Sequence, residues 1–210
     1  MITYVESNFI LEVALFQEES REANQILELA EQKRIELVFP TFSLSEPFST
    51  ITFRDINRKR LAEEMRRETD QLGRSRGKEG VASDLGEAAI TLLEVTRTQT
   101  NNVESTEKRM LEAGRLIPLD KAIFQRGLDF EKDYGLDPKD AIIYASIISD
   151  LEPRPNEIEK CFVTRDRKLW VPGMKSEMSR LRCSVLFSFR DALDFITNKL
   201  AAQPSHPAIH

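Results

Sequence analysis

The chain has 210 residues, 40% of them hydrophobic, which suits one domain with a real core and argues against wholesale disorder. Its net charge of −5 argues against a protein that binds nucleic acid tightly over its whole surface. No apolar run approaches the roughly 20 residues of a membrane helix, no signal-peptide pattern opens the chain, and two cysteines without a CxxC, Cys161 and Cys183, read as reduced thiols of a cytoplasmic protein.

The first element is a buried strand, Ile2 to Val5, followed at once by Glu6, Ser7 and Asn8. Phe9 to Gln17 reads as a short helix, and Ser20 to Lys33 as a second, with Ala23, Ile26, Leu27 and Ala30 at helical spacing. IELVF, Ile35 to Phe39, is a strand ended by Pro40, and a helix starts within Phe42 to Ile51. Long charged helices follow over about 56–71 and 83–111, separated by the glycine-rich loop GRSRGKEG. Leu116 to Leu119 is a short strand or a connector. Helices over Lys121 to Tyr134 and Pro138 to Ser149 lead to a strand at Cys161 to Thr164, another at Ser184 to Phe187, and a closing helix from Arg190 to Leu200. Strands separated by helices imply βαβ units and a mainly parallel sheet. We therefore expect one domain over residues 1–200, with a helical insertion at about 54–113 and a disordered tail over 201–210. Both histidines, His206 and His210, lie in that tail, which argues against a zinc site.

Charge is uneven along the chain. Residues 54–78 carry nine basic and five acidic side chains, a local excess of +4 on an otherwise acidic protein. Such an arm is either a phosphate-binding footprint, with Arg58 and Arg60 as candidate contacts, or a solvated helix laced with i,i+4 ion pairs.

Four acids fall at equivalent places. Glu6 ends the first strand, Glu46 follows the second in SLSEPF, Asp140 opens the helix DAIIYASII, and Asp166 follows the strand CFVT. In a parallel sheet these positions converge on the C-terminal edge, where ligands bind. Carboxylates gathered there repel, and a hard dication such as Mg2+ or Mn2+ relieves that repulsion. Each acid also has a purely structural reading. Glu6 can cap the helix that begins near Asn8. Glu46 stands three residues after Ser43, at capping-box spacing, although a start at Ser45 suits Pro47 better. Asp137, Pro138 and Asp140 make a good helix start unaided, and Asp166 can be a turn residue. No GxGxxG or GxxxxGK[ST] loop is present, so a nucleotide-cofactor reading is weak.

Together the triplet ESN, the segment SLSE, the helix DAIIYASII and the strand end FVTRD resemble the PIN-domain nuclease family, in order, over residues 1–50 and 117–195. The resemblance implies a Rossmann-like α/β/α sandwich and a metal-dependent endoribonuclease acting on single-stranded RNA, often the toxin of a bacterial toxin–antitoxin pair. It implies that Glu6, Glu46, Asp140 and Asp166 form the acidic quartet, that Glu6, Asp140 and Asp166 hold Mg2+ or Mn2+, and that Asn8 and Thr164 support them. The implied partners are the RNA substrate and either an antitoxin or a second copy of the chain. One departure stands out: the family's first acid is normally Asp, and here it is Glu6. That exchange keeps open a second expectation, a catalytically weak or inactive PIN-like module that binds nucleic acid or protein. Arg165, Arg167 and Lys168 flank Asp166 and are either backbone contacts for RNA or a solvated turn.

Overall fold

The computed structural model describes residues 1–167 and 171–202. A five-stranded, all-parallel sheet forms its centre, in the order β3-β2-β1-β4-β5. The strands are β1 (Ile2–Val5), β2 (Glu36–Pro40), β3 (Arg115–Ile117), β4 (Lys160–Val163) and β5 (Cys183–Leu186). The three central strands, β1, β2 and β4, are short runs buried on both faces, as a parallel sheet covered by helices requires, and the edge strands β3 and β5 are partly exposed. On β1 and its neighbours the alternation is regular. Val5, Leu37, Phe39, Cys161 and Val163 face one core, and Ile2, Tyr4, Val38 and Phe162 face the other.

The first core is completed by α1 (Ser7–Ala14), α2 (Ser20–Glu31), α4 (Glu79–Ala113) and α8 (Phe189–Ala202). Phe9 of α1 meets Phe189 edge-on, with ring centroids 5.6 Å apart. The second core is closed by α5 (Lys121–Tyr134), α6 (Pro138–Leu151) and α7 (Pro172–Arg180). Each apolar side chain fully removed from water here contributes about 1.5–3 kcal/mol, so these two layers fix the positions of the strand ends. The architecture is the α/β/α sandwich expected of the sequence.

Segment 42–72 departs from the expectation of two separate helices. After a 3-10 turn (Thr41–Leu44), a single helix α3 runs from Ser45 to Leu72. Pro47 lies in its first turn, where no intrahelical bond is lost. The helix N-cap is Leu44 with no side-chain cap, and the Ser45 hydroxyl donates instead to the Phe42 carbonyl. α3 and α4 pack as a hairpin across the turn at residues 73–78, burying Ala62, Ala82 and Ala89. The root of the hairpin belongs to the body, because Ile51, Val103 and Met110 lie in the first core. Helix α7 carries no strong periodic signal, and the sequence reading missed it. Its two buried residues, Met174 and Met178, are one turn apart, too few to mark a face.

Two features set the edge of the sheet. The chain winds outward from β1 through β2 to β3 on one side, and through β4 to β5 on the other. The C-terminal ends of β1 and β4 therefore flank the crevice where connections diverge, the usual ligand position in such sheets. Helix α6 runs antiparallel to the strands. Asp150, near its C-terminus, bonds Arg115 at the start of β3, while its N-terminal turn points towards the strand ends. Gly135 ends α5 at φ 65°, a left-handed position that suits glycine, and turns the chain into α6. Among the described residues no helix is long and apolar enough to cross a membrane.

Candidate functional site

β1 and β4 are in register, Val5 opposite Val163, so the residues that follow them, Glu6 and Thr164, come side by side. The Thr164 hydroxyl donates to Glu6 Oε1 at 3.2 Å. Glu6 also caps α1: its Oε2 accepts from the Asn8 N–H at 2.9 Å and lies 3.0 Å from the Ser7 hydroxyl. Ser7 reaches across to the Glu46 carboxylate, in the first turn of α3, by a short hydrogen bond. On the other side, the Asp166 N–H donates to the Thr164 hydroxyl oxygen at 3.0 Å. A continuous chain of contacts thus links Glu46, Ser7, Glu6, Thr164 and the backbone of Asp166. Glu6 is both a helix cap and a wall of this site.

Glu6 is 4% exposed, and its hydrogen-bond partners are neutral. Burial pushes its pKa up to about 7, against the opposing pull of the bonds from Asn8, Ser7 and Thr164. The single hydroxyl proton of Ser7 cannot serve two carboxylates at once.

The capping alternatives for the other acids separate cleanly. The Ser43 hydroxyl is buried without a hydrogen-bond partner among the described residues, so Glu46 is no part of a capping box with it. Asp137 caps α6 by accepting from the Lys139 N–H at 3.0 Å, which leaves Asp140 as a half-buried acid in the first turn. Glu6, Glu46 and Asp140 all sit at helix N-termini, where the helix dipole favours negative charge. The donor set is all oxygen, the chemistry that suits Mg2+ or Mn2+. Among the described residues, however, no three of the His, Cys, Asp and Glu side chains stand close enough to hold one metal ion together.

The basic residues divide. Arg165 is engaged by Glu12, at 2.9 Å, and by Glu18, at 3.3 Å. Arg167 stands over the Phe187 ring, 5.8 Å from its centroid. Arg58 clamps the hairpin, donating to Thr96 at 3.1 Å and Gln99 at 2.8 Å. Arg60 is exposed and only 4.0 Å from Glu64, a weak surface pair. Lys168, with Leu169 and Trp170, lies outside the described residues, as does the tail beyond 202.

Sequence reasoning missed Ser7, which joins the two glutamates, and Glu12, a fully buried acid beneath Arg165. A signal for Glu12 existed: it is the one charged residue in the apolar run FILEVAL, where an acid implies a paired cation. Ser7 gave none, since serine after an N-cap is unremarkable.

A family model described as a PIN domain matches residues 4–170. No curated protein and no solved structure matches the chain.

Proposed function

Because the chain belongs to the PIN-domain family, whose members are generally nucleases, we propose that it is a metal-dependent endonuclease that cuts single-stranded RNA at the switch-point edge. The observation that carries this reading is the contact chain from Glu46 through Ser7, Glu6 and Thr164 to the backbone of Asp166, at the edge where parallel sheets bind ligands. The oxygen donors fit a hard dication in kind. Glu6, Asp140 and Asp166 would hold Mg2+ or Mn2+, with Glu46 completing the shell or orienting the attacking water, only once the ion draws their side chains together, since no three acids among the described residues stand within reach of one ion. The ion would supply a bound water of lowered pKa and neutralise charge on the scissile phosphate. The protein's own contribution is placement. Thr164 and Ser7 hold the Glu6 carboxyl between them, and Thr164 also pins the backbone of Asp166.

The same proposal includes a cytoplasmic toxin role with an antitoxin or a second copy as partner. Phe53 and Ile56 of α3, both more than half exposed, are where we place that contact. One observation favours a second reading, the inactive binding module. Both oxygens of Glu6 are already engaged, by Thr164 on one side and by Ser7 and Asn8 on the other, in a residue one methylene longer than the family's usual aspartate.

The test is a labelled single-stranded RNA incubated with protein in Mg2+, in Mn2+ and in EDTA, beside Asp140→Asn. We expect cleavage in either metal, none in EDTA, and at least a roughly 100-fold slower rate in the variant. Folded wild-type protein that cleaves neither RNA nor DNA with either ion would leave the binding module as the function.

A further inference from the structure

Phe16 follows the C-cap of α1, where the Gln17 N–H bonds the Glu12 carbonyl and closes the helix end around a left-handed residue. It occupies the turn between α1 and α2 at φ 52°, in the left-handed region that glycine and asparagine fill most easily. Its ring is 76% exposed, so it repays neither the backbone strain nor its own apolar surface by burial. The helix end explains the backbone but not a bulky aromatic left in water, and Phe16 is the most exposed of the large hydrophobics among the described residues.

The surroundings say what that function is. Phe16 borders an open cleft of about 630 Å³ whose other walls are Asn8, Gln17, Glu18 and Arg165. Two further clefts, of about 450 and 340 Å³, border the same residue on the α4 side. The first cleft shares a wall with the acid cluster. The Asn8 N–H bonds Glu6, and Arg165 directly follows Thr164. The side-chain amide of Gln17 carries a paired donor and acceptor that match base edges, while that of Asn8 also bonds Glu6. Arg165 is anchored from below by the buried Glu12, while its outer partner, Glu18, has an 87% exposed side chain that a phosphate can displace.

We propose that Phe16 is a stacking platform for an unpaired nucleobase, in a subsite bounded by Asn8, Gln17 and Arg165, one step from the scissile position. This inference rests on the reading of the chain as a single-strand nuclease. An aromatic face accepts any base, so the subsite selects for unpaired strands rather than for sequence. In a duplex the base faces are stacked already and unavailable to the ring.

The experiment is fluorescence anisotropy with a dye-labelled single-stranded oligouridine in EDTA, so that binding is read without cleavage. The proteins are wild type, Phe16→Ala, Phe16→Trp, Phe16→Asn and Phe124→Ala, and a duplex of matched length is the competitor. Stacking predicts about 5- to 100-fold weaker binding in Phe16→Ala and wild-type affinity or better in Phe16→Trp. Phe16→Asn suits the left-handed turn, so it remains folded, as circular dichroism would report, while losing affinity as Phe16→Ala does. Phe124→Ala, which removes an exposed phenylalanine on α5 against the other face of the sheet, should bind as wild type does, which separates this subsite from any exposed ring. If no variant cleaves but Phe16→Ala still loses affinity, the platform stands and the nuclease reading falls. If cleavage is metal-dependent but all Phe16 variants bind alike, or if single strand and duplex compete equally, the platform is overturned. A change of oligomeric state in Phe16→Ala with unchanged RNA affinity would overturn it too, in favour of a protein interface.

Discussion

Near the strand starts, Asp150 of α6 accepts two bonds from Arg115 at 2.7 Å each and one from the Tyr4 hydroxyl at 2.8 Å, with Arg154 and Glu36 alongside. At the strand ends, Glu6 is at least as deeply buried, yet it is met only by Ser7, Asn8 and Thr164. The two sites answer the cost of a buried carboxylate in opposite ways. Burial raises the Asp150 pKa, but the bonds from Arg115 and Tyr4 outweigh it and hold the carboxyl below its ordinary value. For Glu6 burial wins, and the pKa rises to about 7. The compensated acid holds β2, β3 and α6 together. The uncompensated one has unspent affinity for a cation or a proton, which is what a reactive edge needs.

The contrast can be broken at either end. Asp150→Ala should be the larger blow to stability, costing about 3 kcal/mol, because it leaves Arg115, Arg154 and the Tyr4 hydroxyl without their shared partner. Urea denaturation measures it, and cleavage per folded molecule should be unchanged.

Glu6→Gln should act through pH. The folded-state pKa of Glu6 lies above its ordinary value of 4.5, so its contribution to stability is fully present below about pH 4.5 and is lost as pH rises through about 7. The loss is of order 3 kcal/mol. The variant should remove that slope, seen as a smaller difference between unfolding free energies at pH 5 and pH 8. Glu107 of α4, raised to about 7 by burial and the charge of Glu104, contributes in the same direction and window, so the comparison must be wild type against variant. An unchanged slope would mean that Glu6 is ionised in the folded protein, and the contrast with Asp150 would disappear.

The smallest effects are expected on the hairpin. Arg58→Ala should lower stability by about 1 kcal/mol, through the lost bonds to Thr96 and Gln99. Arg60→Ala should change stability by less than about 0.5 kcal/mol. If Arg60 instead contacts RNA, its variant will flatten the salt dependence of binding while melting as wild type does, a result that sharpens the division between a clamp and a contact.

Much of this protein was legible in its residues. Short apolar runs alternating with helical periodicity specify a parallel α/β sheet, and Glu6, Glu46 and Asp166 can be placed at element ends from sequence alone. The helix start at Asp137 and Pro138 was equally plain, because capping is local chemistry. The continuity of α3 through residues 45–72 was not, since the polar stretch after Ile51 gives no period, and its partner α4 supplies the packing that holds it straight. Nor does a local pattern reveal that Arg58 turns inward to α4, or that Arg165 is held by an acid 153 positions away. Sequence by itself determined most of the elements, α7 and the continuity of α3 excepted, and which acids end them, because propensity, capping and burial period are properties of neighbours along the chain. Only the tertiary structure decided which charges are compensated. Burial and the distance to a counter-charge depend on strand order and register, and these bring Glu6 beside Thr164 and away from any arginine among its bonded partners.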